Sequence, residues 1–167
     1  MKVVGLDLGG TKIAAGVFDG KRLLSKVVVP TPKEGGERVA EALAEAAERA
    51  EREAGVRGEA IGLGTPGPLD FRRGVIRFAP NIPGVQDFPI RRILEEATGR
   101  PVFLENDANA AALAEHHLGA AQGEESSLYL TVSTGIGGGV VLGGRVLRGE
   151  RGQGGALGHL TLLPGGP

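Results

Sequence analysis

One design occurs twice in this chain, and it narrows the fold more than any other feature. Residues 3–8 form an apolar run carrying Asp7 near its end, followed by Gly9-Gly10-Thr11-Lys12 and a second apolar run from Ile13 to Phe18. Asp19-Gly20 is a two-residue hairpin signal, and Arg22–Val29 makes a third strand that Pro30-Thr31-Pro32 stops. The pattern returns at Ser127–Val132, which runs into Ser133-Thr134-Gly135-Ile136-Gly137-Gly138-Gly139, then Val140–Leu142, Gly143-Gly144 and Arg145–Leu147. Strand, Gly/Thr turn, strand, Gly turn, strand is a β-meander, and its repetition is a far more specific signal than either turn alone. A duplicated α/β chain of two lobes is expected, the first domain covering residues 1–119 and the second beginning at Ala120 and running through 167.

The intervening residues supply the helices. Val39, Leu43, Ala46, Ala47, Ala50 and Ala54 recur at helical spacing, which predicts a helix from Gly36 to Ala54 ended by Gly55. Its outer face carries the pairs Glu45–Arg49 and Glu48–Arg52. Ala60–Gly64 is a short strand leading into Gly64-Thr65-Pro66-Gly67-Pro68, and Arg77–Gly84 is an irregular loop that contains Asn81. A helix over Pro89–Thr98, a strand from Val102 to the Glu105-Asn106-Asp107 junction and a helix over Ala108–Leu118 complete the first domain. His116 and His117, in its last turn, are expected to face solvent and complement the helix dipole.

The chemistry concentrates at strand ends. Gly9 and Gly10 permit positive φ and let a ligand approach the backbone, while N–H groups, the Thr11 hydroxyl and the Lys12 ammonium converge as a phosphate requires. Asp7 at the strand end could orient a water on a magnesium ion. An ordinary hairpin turn explains the same residues when the stretch is taken alone. Asn106 and Asp107 are both good N-caps, and a carboxylate at a strand's end is also well placed to act as a base. In an α/β protein the glycine- and proline-rich loop at Gly64–Pro68 lies where ligands tend to sit.

Composition excludes several classes. The 167 residues carry a net charge of −1 and no basic tract, which argues against a nucleic-acid or membrane-surface partner. The absence of cysteine removes disulfides and thiolate metal sites. No apolar run approaches a membrane span, and the opening Met-Lys before a strand is unlike a signal peptide, so a cytoplasmic protein is expected. One Met, no Cys and many Glu and Arg lean towards a heat-adapted source.

Asp7-Leu-Gly-Gly-Thr-Lys12, Gly64-Thr-Pro-Gly67, Glu105-Asn-Asp107, Ser133-Thr-Gly-Ile-Gly-Gly-Gly139 and Gly158-His159 fall in the order of the ROK (repressor, open reading frame, kinase) family. The chain resembles the bacterial ATP-dependent glucokinases of that family along essentially its whole length. The resemblance implies the actin-like, ribonuclease-H-type α/β fold and transfer of the ATP γ-phosphate to the 6-hydroxyl of a hexose, foremost glucose. It implies Asp107 as general base, Asn106 on neighbouring sugar hydroxyls, and Gly64, Thr65, Asn81 and His159 at the sugar. Gly9, Gly10, Thr11, Lys12, Thr134 and Gly135 would surround the phosphates, with Asp7 placing Mg2+. It also implies a homo-oligomer, a dimer or tetramer.

Two departures qualify the match. Family members ligate a structural zinc through this histidine and cysteines that follow it, and no cysteine is present here, so no tightly bound zinc is expected. Ala156 stands where the family carries a Glu that contacts sugar hydroxyls, and the family runs longer than this chain. An apolar face of the second meander is therefore expected to be exposed. A non-catalytic sugar-binding module, or a fragment of a ROK-type repressor, is the alternative reading. The repressor form is disfavoured because no basic helical segment precedes the first strand.

Overall fold

The computed structural model describes residues 1–132, 135–161, 163 and 165. Backbone packing divides the chain into two units, residues 1–107 and 108–167.

The first unit is built on β1 (Lys2–Leu8), β2 (Lys12–Asp19), β3 (Arg22–Pro30), β4 (Ala60–Thr65) and β8 (Val102–Asn106), in the order β3-β2-β1-β4-β8. The three strands of the meander pair antiparallel, whereas β1 pairs with β4, and β4 with β8, in parallel. Parallel pairing requires crossovers, and the helices α1 (Gly36–Ala54) and α2 (Ile90–Thr98) provide them. Both helices end on a left-handed glycine, Gly55 and Gly99, as their sequences dictate.

Alternation along each strand decides where the core lies. Val4, Leu6 and Leu8 of β1, Ile13, Ala15 and Val17 of β2, and Ile61 and Leu63 of β4 are buried on the side that α1 covers with Val39, Leu43, Ala46, Ala47 and Ala50. Gly5, Asp7, Gly62 and Gly64 therefore occupy the opposite face. On the outside of α1, Arg52 pairs with Glu48 at 3.6 Å, while Arg49 turns to Glu53 at 3.2 Å instead of the expected Glu45.

A small antiparallel sheet of β5 (Leu69–Asp70), β6 (Val75–Phe78) and β7 (Gln86–Phe88) replaces part of what the sequence presents as loops. Strands this short show no periodicity. The turn between β5 and β6 is held by Asp70, which accepts from the Arg73 N–H through its side chain at 3.0 Å and from the Gly74 N–H through its carbonyl at 2.8 Å.

The second unit begins with α3 (Asp107–Leu118), whose first residue lies at the boundary, and continues with β9 (Ser126–Val132), β10 (Ile136–Leu142), β11 (Arg145–Val146) and a 3-10 turn at Leu157–His159. The strands form a second antiparallel meander in the order β11-β10-β9. The units part earlier in the chain than a boundary after Gly119. Side-chain size explains this: a Cβ on Gly139 would stand 2.6 Å from the Ala112 Cβ and 2.9 Å from the Ala108 carbonyl, so α3 lies directly on β10. Gly137, Gly138 and Gly139 consequently belong to β10 rather than to a turn.

The same helix corrects another expectation. His116 is buried, 6% exposed, and its Nδ1 lies 3.0 Å from the Ser127 hydroxyl, whereas His117 is exposed. Asn109, Ala112 and His116 form the i, i+3, i+7 stripe that faces the protein. The opposite face of β9 is bare: Leu128, Leu130 and Val132 are more than half exposed, as are Ile136 and Leu142 of β10.

One buried ion pair ties the first unit together. The Arg100 guanidinium, 7% exposed, donates to both Glu51 oxygens, one of them at 3.2 Å, and to the Gly58 carbonyl at 2.9 Å. Glu51 also accepts the Gly58 N–H at 2.6 Å, so the end of α1, the approach to β4 and the approach to β8 meet at one charge pair. Arg100→Ala is expected to cost about 3–5 kcal/mol in urea unfolding because it strands a buried carboxylate. Arg38→Ala, which breaks an exposed pair with Glu41, should leave the urea midpoint nearly unchanged.

Candidate functional site

The carboxyl ends of three parallel strands lie side by side in the first unit. Asp7 of β1 is opposite Gly64 of β4, Gly64 is opposite Glu105 of β8, and Thr65 is opposite Asn106. Each strand then leaves the sheet through one of the segments singled out in the sequence. β1 enters Gly9–Thr11, β4 enters the Pro66-Gly67-Pro68 loop, and β8 passes through Asn106 into α3 at Asp107. Asp107 occupies the first turn of that helix, where the dipole favours a negative charge.

The Gly9–Lys12 turn is closed by the Gly9 N–H donating to the Lys12 carbonyl at 2.9 Å. Asn81 lies directly on it. A Cβ on Gly10 would stand 2.9 Å from the Asn81 Cβ, a separation real side chains do not reach, so a glycine is required there. The Asn81 loop is anchored by the fully buried Ile82, whose N–H donates to the Ala79 carbonyl at 3.0 Å. Two residues missed in the sequence also hold the turn: Thr31 Oγ1 donates to the Gly9 carbonyl at 2.7 Å, and Lys33 Nζ donates to the Gly10 carbonyl.

Charge brings Asp7, Asp107 and Lys12 into one site. Asp7 meets solvent on one side, yet its carboxyl titrates above the ordinary 3.8, first through partial desolvation at the strand end and then through the Asp107 carboxylate; the Lys12 ammonium opposes both. The Asp107 carboxylate adds to the cost of ionising Asp7, a cost that a hard divalent cation beside Asp7 would relieve. Asp7 and Asp107 thus fit Mg2+, which takes one or two carboxylates and completes its shell with water and phosphate oxygens.

Other expected residues stand differently. Thr65 is fully buried, and its hydroxyl is 3.4 Å from the Pro66 carbonyl, so the backbone is what it presents to the strand-end site. In the second unit, Gly135 is exposed just before β10, and Thr134 lies outside the described residues. His159 is exposed in the 3-10 turn, with its N–H donating to the Ala156 carbonyl at 3.2 Å. Among the described residues no group of three or more His, Asp or Glu could hold a metal ion. An open groove of about 720 Å3 between the end of β3 and the outer face of α1 is lined by Lys33, Arg38, Glu45 and Arg49 among others, and by none of the expected site residues.

A sheet that opens with one antiparallel meander and a second meander that follows α3 make an α/β chain of the actin-like type. The ROK family model matches residues 3–167, and the chain belongs to the ROK family. It is similar to the crystal structure of a ROK hexokinase from Thermus thermophilus, with 98% identity and a TM-score of 0.94 over 100% of this chain and 55% of that one. A ROK family glucokinase from Streptomyces griseus, solved in complex with glucose and AMPPNP, is 40% identical with a TM-score of 0.89 over 98% of this chain and 52% of that one. The glucokinase of Thermotoga maritima is 41% identical over 100% of this chain and 53% of its own length. The chain therefore has the fold of the ROK sugar kinases and spans about half the length of the relatives it matches. No helix among the described residues is long and apolar enough to cross a membrane.

The clustering has a signature that does not depend on catalysis. Because Asp7 titrates above 3.8 in the folded chain, folding favours its protonated form. Its contribution to stability is complete below 3.8 and is lost as pH rises through the raised value. Carboxyl titration by NMR should show the Asp7 pKa falling in Asp107→Asn and rising in Lys12→Met. An unchanged Asp7 in both variants would mean that the three groups do not share a site.

Proposed function

We propose that this chain carries the sugar-phosphorylating half-site of an ATP-dependent hexose kinase, with glucose as the foremost substrate. The observation that carries this reading is the row of strand ends that places Asp7 of β1, Gly64 of β4 and Glu105 of β8 side by side next to the Gly9-Gly10-Thr11 turn, with Asp107 and Lys12 both acting on the Asp7 carboxyl. In this reading Asp107 accepts the proton of the sugar 6-hydroxyl. The oxygen so activated forms its bond to the γ-phosphorus as the bond to the ADP oxygen breaks, and positioning with charge neutralisation supplies most of the acceleration. Asn106 orients the neighbouring hydroxyls, the backbone at Gly64 and Thr65 shapes the floor, and Asn81 and His159 complete the sugar contacts. Gly9, Gly10, Thr11 and Lys12 hold the phosphates, joined by Thr134 and Gly135.

Asp7 would hold Mg2+ through water, with Asp107 nearby, and the ion would supply charge neutralisation at the phosphates. The glucose and AMPPNP held by the Streptomyces griseus relative support both substrates. Cys-free composition and the lack of a membrane-spanning helix among the described residues suit a cytoplasmic setting.

A second reading, a sugar-binding module without turnover, is favoured by Ala156. A coupled assay for sugar 6-phosphate separates them. Asp107→Ala is expected to reduce turnover with MgATP and glucose about 10²- to 10⁴-fold, the usual contribution of a general base. Undiminished turnover in that variant would remove Asp107 from the mechanism, and glucose binding with no turnover in the parent chain would favour the module. Restoring a carboxylate with Ala156→Glu should tighten glucose binding by about one to two decades, matching about 1.5–3 kcal/mol for a charged hydrogen bond. Isothermal titration measures it.

A further inference from the structure

Pro30 closes β3, and residues 31–33 follow it. Pro30 and Pro32 have no N–H, so Thr31 carries the single backbone donor of the Pro30-Thr31-Pro32 segment. That N–H goes to the Thr11 carbonyl at 3.0 Å. The Thr31 hydroxyl goes to the Gly9 carbonyl at 2.7 Å, and the Lys33 ammonium to the Gly10 carbonyl. Three consecutive carbonyls of the turn are thus engaged by one short segment. Thr31 is 4% exposed and held between two prolines, so its donors are fixed in place.

The consequence follows from peptide geometry. Every peptide bond of this turn is trans, and in a trans peptide the N–H points opposite to the C=O of the same plane. Holding the Gly9 carbonyl towards Thr31 directs the Gly10 N–H away from it. Holding the Gly10 carbonyl towards Lys33 does the same for the Thr11 N–H, and the Thr11 carbonyl bond does so for the Lys12 N–H. Successive N–H groups turned to one side of a glycine turn make a concavity for an anion.

We infer that Thr31 and Lys33 are positioning residues for nucleotide phosphate: by holding back the carbonyls of Gly9 and Gly10 they aim the Gly10 and Thr11 N–H groups at the phosphates. This rests on the reading of the turn as the phosphate site.

The test is isothermal titration of the 167-residue chain with MgAMPPNP and, separately, with glucose. Thr31→Val removes the hydroxyl and keeps the shape, and it is expected to weaken MgAMPPNP binding about tenfold while leaving glucose binding unchanged. Thr31→Ser retains the donor and should bind within about twofold of the parent. Lys33→Met, at an exposed position, is expected to weaken MgAMPPNP about threefold and serves if Thr31→Val does not fold. A parent that binds MgAMPPNP, with Thr31→Val and Lys33→Met binding equally well, overturns the positioning role alone. Equal losses in Thr31→Ser and Thr31→Val overturn it as well. A parent that binds no MgAMPPNP overturns the phosphate-site reading and this inference with it.

Discussion

The parallel ladder between β1, β4 and β8 is the constraint on which the rest of the first unit depends. Its register puts Asp7, Gly64 and Glu105 in one row, and every strand leaves that row at its carboxyl end. Period-two alternation then sends Val4, Leu6 and Leu8 into the core and leaves Asp7 on the far face. A slip of one residue would bury the carboxylate and expose the leucines, so packing of the core and placement of the acid are the same event. The ion pair of Arg100 with Glu51 sits at the other end of these strands, where it joins α1 to the approaches of β4 and β8.

The two charge clusters obey opposite economies. At Arg100 both terminal guanidinium nitrogens and both carboxylate oxygens of Glu51 are engaged, and only the buried Nε lacks a partner, so most of the cost of burial is offset. At Asp7 a neighbouring carboxylate and partial desolvation both disfavour the ionised form, and Lys12 offsets them only in part. A carboxyl perturbed in this way at the end of a strand marks a candidate functional position.

Much of this could be read from local sequence. The helix over Gly36–Ala54 has the predicted bounds because an alanine-rich stripe and a terminal glycine specify both its face and its end. Asp19-Gly20 and the glycine turns announced the meanders for the same reason: turn chemistry is local. What was not legible is contact between distant segments. Thr31 looked like strand punctuation, and only the fold shows its hydroxyl on Gly9. His116 looked like a dipole-complementing surface residue, and its burial follows from Ser127 and β9 closing over the stripe that begins at Asn109. Gly137–Gly139 resembled a loop, yet small residues were needed there so that Ala108 and Ala112 could lie against a strand. The row Asp7–Gly64–Glu105 was equally hidden, because register between parallel strands is fixed by packing across long crossovers and leaves no local mark.

The most direct measurement is paramagnetic relaxation of the amide and carboxyl resonances when Mn2+ and ATP are added to the chain. The account requires selective broadening at Asp7, Gly9, Gly10, Thr11, Lys12 and Asp107 before any other residues, since metal and phosphates would meet at the ends of β1 and β8. Broadening confined to the groove of Arg38, Glu45 and Arg49 beside α1, or spread evenly over exposed carboxylates, would contradict it.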